Sequence, residues 1–96
     1  MSAPAPAPSP APTITVQVRF FAALREALGP QQTVLIPAGS TLGELRTLLL
    51  DQSSRHAEVL ARDRAVRCAL NQVMADEATV LPAGAEVAFF PPVTGG

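Results

Sequence analysis

The stretch Thr41-Leu42-Gly43-Glu44-Leu45-Arg46-Thr47-Leu48-Leu49 decides the fold class. A threonine three residues ahead of a glutamate is a capping box, in which each side chain accepts from the other residue's backbone N–H. Leu42, Leu45 and Leu49 then recur at helical spacing with Leu48 beside them, so one face of this helix is apolar and must be covered. Upstream, Ile14-Thr15-Val16-Gln17-Val18-Arg19-Phe20 alternates apolar and polar residues, the period of a strand with one buried face. A one-faced helix and a one-faced strand satisfy each other, which predicts one principal helix held against a sheet.

Outward from this pair, Phe21 breaks the alternation and opens a short helix, Ala22 to Leu28. Leu24 and Leu28 lie one turn apart in it, and Gly29-Pro30 ends it. Thr33-Val34-Leu35-Ile36 reads as a second strand, stopped by Pro37-Ala38-Gly39. That turn is expected as type I, with proline second and glycine fourth. Beyond the main helix, Ser53 or Ser54 caps another short helical stretch whose Ala57, Leu60 and Ala61 face inward. Arg62-Asp63-Arg64 reads as a solvated loop. Val66, Cys68 and Leu70 alternate with Arg67 and Ala69 as a third strand, and Asn71-Gln72 turns it toward a short Val73-Met74 segment. A second Pro-Ala-Gly turn, at Pro82, leads into a last strand from Glu86. The expected class is α+β, a mixed sheet of four to five strands packed on one main helix.

Composition narrows the function. Ninety-six residues, 48% of them hydrophobic, make one small domain with little room for a deep enclosed active site. A net charge of −1 gives no reason to expect nucleic acid or an anionic membrane as partner. All seven basic residues are arginine, so no side-chain amine is present to accept an isopeptide or form a Schiff base. A single cysteine, Cys68, excludes an internal disulfide and a cysteine-based metal cluster within one chain, and no metal site is expected. Cys68 reads as buried filler on the apolar side of its strand. The one histidine, His56, reads as a surface residue, and Arg55, Arg62, Arg64 and Arg67 as a solvated face. Phe20 and Phe89 read as core. No apolar run reaches the length of a membrane span, and the default setting is cytoplasmic.

Residues 1–12 carry proline at every second position from Pro4 to Pro12, which removes donors and disfavours helix. They are expected to be a disordered Ala/Pro-rich arm, ahead of a domain over 13–90 and an extended tail over 91–96. They lack the basic start and apolar stretch of a secretory signal. The tail is the chemically distinctive part. Glu86-Val87-Ala88-Phe89-Phe90 runs into Pro91-Pro92-Val93-Thr94-Gly95-Gly96. Two prolines stiffen the exit, and two glycines without Cβ atoms can pass through a narrow slot. Fully extended, Pro91–Gly96 reaches roughly 20 Å beyond the domain. The reactive group at its tip is the Gly96 carboxylate, which becomes an acyl donor once activated as a mixed anhydride. An activating enzyme must enclose that carbon and exclude water, which a slim tail without side chains permits.

The tail Val87-Ala88-Phe89-Phe90-Pro91-Pro92-Val93-Thr94-Gly95-Gly96 resembles that of the small sulfur-carrying subunits of molybdopterin synthase, the MoaD/ThiS-like family. Val18-Arg19-Phe20-Phe21-Ala22-Ala23-Leu24-Arg25-Glu26 and Ala69-Leu70-Asn71-Gln72 are similar to that family's first strand and third-strand end. The resemblance covers residues 14–96, and its middle agrees more in pattern than in identity. It implies a ubiquitin-like β-grasp fold. It also implies that an E1-like adenylyltransferase activates Gly96 with ATP, while the chain itself binds no cofactor. A sulfur donor protein would then make the thiocarboxylate. The tail (Pro91, Pro92, Val93, Thr94 and Gly95 leading to Gly96) would thread into the large synthase subunit, in a heterotetramer, and give sulfur to cyclic pyranopterin monophosphate. By position, Phe90 and Met74 match the family's exposed apolar contacts and Arg25 its helix arginine near the activating partner. Sulfur delivery to another pathway (thiamin thiazole, tRNA thiolation), a ubiquitin-like modifier, and an interaction domain without tail chemistry remain open alternatives.

Overall fold

The computed structural model describes residues 12–61 and 63–91. Its elements are β1 (Thr13–Phe20), α1 (Ala22–Leu28), β2 (Gln31–Pro37), α2 (Leu42–Leu50), α3 (Ser54–Val59), β3 (Arg67–Leu70), β4 (Val73–Ala75) and β5 (Glu86–Phe90). They form one five-stranded sheet in the order β2-β1-β5-β3-β4. β1 and β5 are parallel at its centre, and the other pairs are antiparallel. This is the β-grasp arrangement, with the main helix crossing one face of a mixed sheet.

The capping box at Thr41 and Glu44 is present in both directions. It starts α2 with Leu42, Leu45 and Leu49 fully buried. They meet Val16, Val18 and Phe20 of β1, Val34 and Ile36 of β2, Val87 and Phe89 of β5, and Cys68 of β3 in one cluster. Each such side chain contributes roughly 1.5–3 kcal/mol on burial. Leu81 and Ala85 close the core below the last strand.

Several local expectations are corrected. Ser40 donates to the carbonyl of Pro37, so the turn after β2 starts at Pro37 and puts Gly39 third, at φ +88°. A left-handed third position is the type II pattern and requires glycine, which type I does not. The second Pro-Ala-Gly turn repeats it, with Ala85 donating to Pro82 and Gly84 at φ +74°. Ser53 caps α3 by accepting from His56 N–H. α3 is too short to turn a full face inward, so Ala57 is exposed, while Leu60 just past its end is fully buried. Ala69 is buried against the alternation, because β3 lies inside the sheet and Ala88 and Met74 flank that residue on the open face. Arg46, in the middle of α2, is only 4% exposed. Its Nε donates to Leu60 O at 2.8 Å, and its terminal nitrogens donate to the carbonyls of Ala61 and Arg64 and to Glu77 Oε2 at 2.7 Å. The loop around Asp63 is therefore tied to the main helix through its backbone, while the Asp63 and Arg64 side chains face water.

Candidate functional site

The site is the root of the tail and the sheet face beside it. Because β1 and β5 are parallel and in register, Phe20 lies beside Phe89. Both point into the core, their rings 6.2 Å apart and nearly parallel. One residue further along each strand the pleat reverses direction. Phe21 and Phe90 come out on the other face, stacked at 4.9 Å with an interplanar angle of 12°. Such a pair adds about 0.5–1.5 kcal/mol beyond its burial.

The backbone around Phe21 is built for this placement. Phe21 is extended (φ −123°, ψ 156°) and donates its N–H to Phe89 O at 3.2 Å, carrying the β1–β5 ladder one step further. The chain then turns into α1 through Ala22 at φ +53°. A left-handed alanine is a strained conformation held by its surroundings. The Arg19 guanidinium lies 5.6 Å from the Phe21 ring centroid and 3.9 Å from the Glu86 carboxylate. That ion pair is open to solvent and holds little energy, so Arg19 acts mainly as a rim beside the ring. Across the sheet, Arg19, Ala88, Ala69 and Met74 form one row of register partners, and Phe90 and Arg67 stand in the next.

Of the expected contact residues, Phe90 and Met74 share this open face. Met74 is 54% exposed and Phe90 half-buried against Phe21. Arg25 is exposed on α1, the helix that opens directly from Phe21. Pro91 is half-buried, and the expected functional residues Pro92, Val93, Thr94, Gly95 and Gly96 lie outside the described residues. Phe21 belongs to the site although its position in the sequence suggested only a break in the alternation before α1. Only the parallel register, which the chain order does not reveal, brings the two Phe-Phe pairs side by side. An open groove of about 750 Å³ runs beside β4, lined by Cys68, Leu70, Val73, Met74 and Glu77 among others.

The Cys68 thiol lies in the groove floor and donates to Ala75 O. Burial, with Glu77 and Asp76 adding to it against Arg46, pushes its pKa up and keeps it protonated. His56 departs from the surface reading. It is half-buried, edge-on to Phe20, with Nε2 at 3.0 Å from Gln32 Oε1 and Nδ1 at 2.8 Å from the Ser53 hydroxyl. Arg55 on α3, Arg64 in the loop before β3 and Arg67 on β3 are each exposed, and Arg62 lies outside the described residues. Among the described residues no cluster of acidic, histidine or cysteine side chains suits a metal ion. No helix there is long and apolar enough to cross a membrane. The arrangement offers an open sheet face beside Phe90 and Pro91, the last described residues of the chain.

Residues 18–96 match the sequence profile of the ThiS family. Over 80 residues the chain is 41% identical to the molybdopterin synthase sulfur carrier subunit of Escherichia coli, covering 83% of this chain and 98% of that one. The same-named subunit of Mycobacterium tuberculosis is 39% identical over 81 residues, with 82% and 94% covered. Among solved structures, small archaeal modifier protein 1 of Haloferax volcanii superposes with a TM-score of 0.69 at 25% identity, covering 85% of this chain and 99% of that one. A complex of subunits 1 and 2 of the molybdopterin-converting factor from Helicobacter pylori contains a chain similar at TM-score 0.59 and 32% identity, with 86% and 100% covered. A ubiquitin-like domain from Arabidopsis thaliana, at TM-score 0.55 and 14% identity over 100% of this chain and 95% of that one, shares the fold alone.

Proposed function

The chain belongs to the ThiS family, and from that premise we propose that it is the sulfur carrier of a molybdopterin synthase. One observation carries the reading. The Pro-Pro-Val-Thr-Gly-Gly end follows directly on β5, whose last residue, Phe90, stacks with Phe21 on the open face of the sheet. A carrier needs such a division: a rigid root that a partner can grip, and a side-chain-free tip that enters the partner's site.

In the proposed cycle the Gly96 carboxylate attacks the α-phosphorus of ATP on an E1-like adenylyltransferase, and pyrophosphate leaves. The outer sulfur of a donor protein's persulfide attacks the acyl carbon and displaces AMP. A thiol then cleaves the resulting acyl disulfide, leaving the donor sulfur in a disulfide and the thiocarboxylate on Gly96. The large synthase subunit then takes the tail, with Gly95 in its narrowest part, and the thiocarboxylate sulfur attacks cyclic pyranopterin monophosphate. Two deliveries build the dithiolene. A hydrophobic contact at Phe90, Phe21 and Met74, with Arg25 near the activating partner, would hold each complex. The Helicobacter pylori complex of subunits 1 and 2 of the molybdopterin-converting factor, one chain of which is similar to this one, supports the large-subunit assignment. We place the cycle in the cytoplasm, where ATP is available to the activating enzyme.

Intact mass of the chain from its native host tests this, read together with transfer to cyclic pyranopterin by the large subunit. The expected result is a mass shift for one oxygen replaced by sulfur at Gly96, with product formed. A chain lacking Gly96 that still supports full dithiolene formation would overturn it. The similarity to an archaeal modifier favours a second reading, attachment through Gly96 to lysines of other proteins. Its mark would be Gly-Gly remnants on cellular lysines that depend on this chain.

A further inference from the structure

The outer edge of β2 is built like an unfinished ladder. In the β1–β2 pair, Ala38 donates to Pro12 and Phe20 donates to Pro30. With the register Val16↔Val34, this assigns both backbone groups of Gln32, Val34 and Ile36 to β1. Gln31, Thr33 and Leu35 therefore direct N–H and C=O away from the sheet, where β2 is the edge. Their side chains are exposed, Leu35 at 66%.

Edge strands are normally protected by charge, proline, a bulge or brevity. β4, at the other edge, has three residues and leads into Asp76. β2 has seven residues, Gln31-Gln32-Thr33-Val34-Leu35-Ile36-Pro37, without one charged side chain, and its single proline is the last. The edge thus offers three donors and three acceptors in a row.

We propose that this edge pairs with the β2 edge of a second copy of the chain, antiparallel about a two-fold axis through Thr33. The register follows from counting donors. Centred on Thr33, Gln31 meets Leu35 of the second copy, Thr33 meets Thr33, and Leu35 meets Gln31. All three pairs are of the mutually bonded type, so every outward N–H and C=O of both strands is used. Centring on Val34 or Leu35 sets Pro37, which has no N–H, against a residue that needs one. A second copy suits the strand on charge as well, since neither strand repels its image. The contact is small, below the roughly 1,200 Å² of total buried area usual for stable complexes, so the dimer is weak and concentration-dependent. It leaves β4 at the opposite edge and Phe90 on the central strand two places from β2, and it does not depend on what Gly96 carries.

Cysteine scanning in the full-length chain tests the register. Mutually bonded antiparallel partners stand about 5.5 Å apart at Cα, within disulfide reach. Thr33→Cys should therefore cross-link to its own copy under mild oxidation at least about tenfold faster than Leu35→Cys, whose symmetry mate lies four residues along the ladder at about 3.4 Å per residue. Sedimentation equilibrium supplies the second readout. The average mass of the unmodified chain should rise toward millimolar concentration, and Thr33→Lys should weaken association about tenfold, by setting like charges opposite each other, with an unchanged thermal midpoint. Equal cross-linking of the two cysteine variants, a monomer at every concentration, or unaltered association of Thr33→Lys would each overturn the proposal.

Discussion

At the residue scale, two polar side chains in the helical layer hold more of the structure than their positions suggest. Arg46 satisfies the carbonyls of Leu60, Ala61 and Arg64 together and pairs with Glu77. Truncation would leave buried carbonyls unpaired, so Arg46→Ala should lower stability by about 3 kcal/mol in urea denaturation. Arg46→Lys should recover little, because an ammonium group cannot spread its donors as the guanidinium fork does. His56 fits the neutral form with the proton on Nε2, donating to Gln32 while the Ser53 hydroxyl donates to Nδ1. Burial lowers its pKa below the ordinary 6.5. The unfolded chain then binds the proton more readily, so stability is greatest above pH 6.5 and falls as pH drops toward the folded-state pKa. Thermal melts between pH 7.5 and 5 should show that slope, and His56→Gln should flatten it.

At the element scale, α2 and the tail root respond to substitution in opposite ways. Gly43 sits in the first turn of α2, where alanine would ordinarily gain about 1 kcal/mol. Here a Cβ would stand 3.1–3.2 Å from the side chain and backbone of Glu77, whose carbonyl also accepts Gly43 N–H. Gly43→Ala should therefore lower the unfolding midpoint, whereas a simple helix-propensity effect would raise it. Phe90 is half-buried and outside the core cluster. Phe90→Ala should cost stability only about 2 kcal/mol, the sum of its stack and of its partial burial. Calorimetry should show its binding to the large synthase subunit weakened by at least about tenfold, a change of 1.4 kcal/mol. A loss of stability with unchanged binding would make Phe90 a structural residue.

At the scale of the whole molecule, the stability of the domain is expected to be independent of its two terminal segments. β1 begins at Thr13, and Pro12 already accepts a hydrogen bond from Ala38. A chain starting at residue 12 should thus keep the thermal midpoint of the full chain. Loss of Gly96 should likewise leave the midpoint unchanged while ending sulfur transfer, since the sheet ends at Phe90.

Local chemistry determined much of this protein from the sequence alone. The capping box, the leucine stripe of α2 and the alternation in β1 each depend on neighbours three or four residues away or fewer. They predicted the elements correctly, and Pro-Pro and Gly-Gly set the expectation for the chemistry of the tail. What depended on distant partners was decided only by the tertiary structure. The parallel β1–β5 register turned two Phe-Phe pairs into one core stack and one surface stack. The approach of the Glu77 turn and the loop around Asp63 made a mid-helix arginine a buried clamp. Side-chain spacing along a chain reports which face a residue takes, but which strand lies beside that face is set by packing across the sheet.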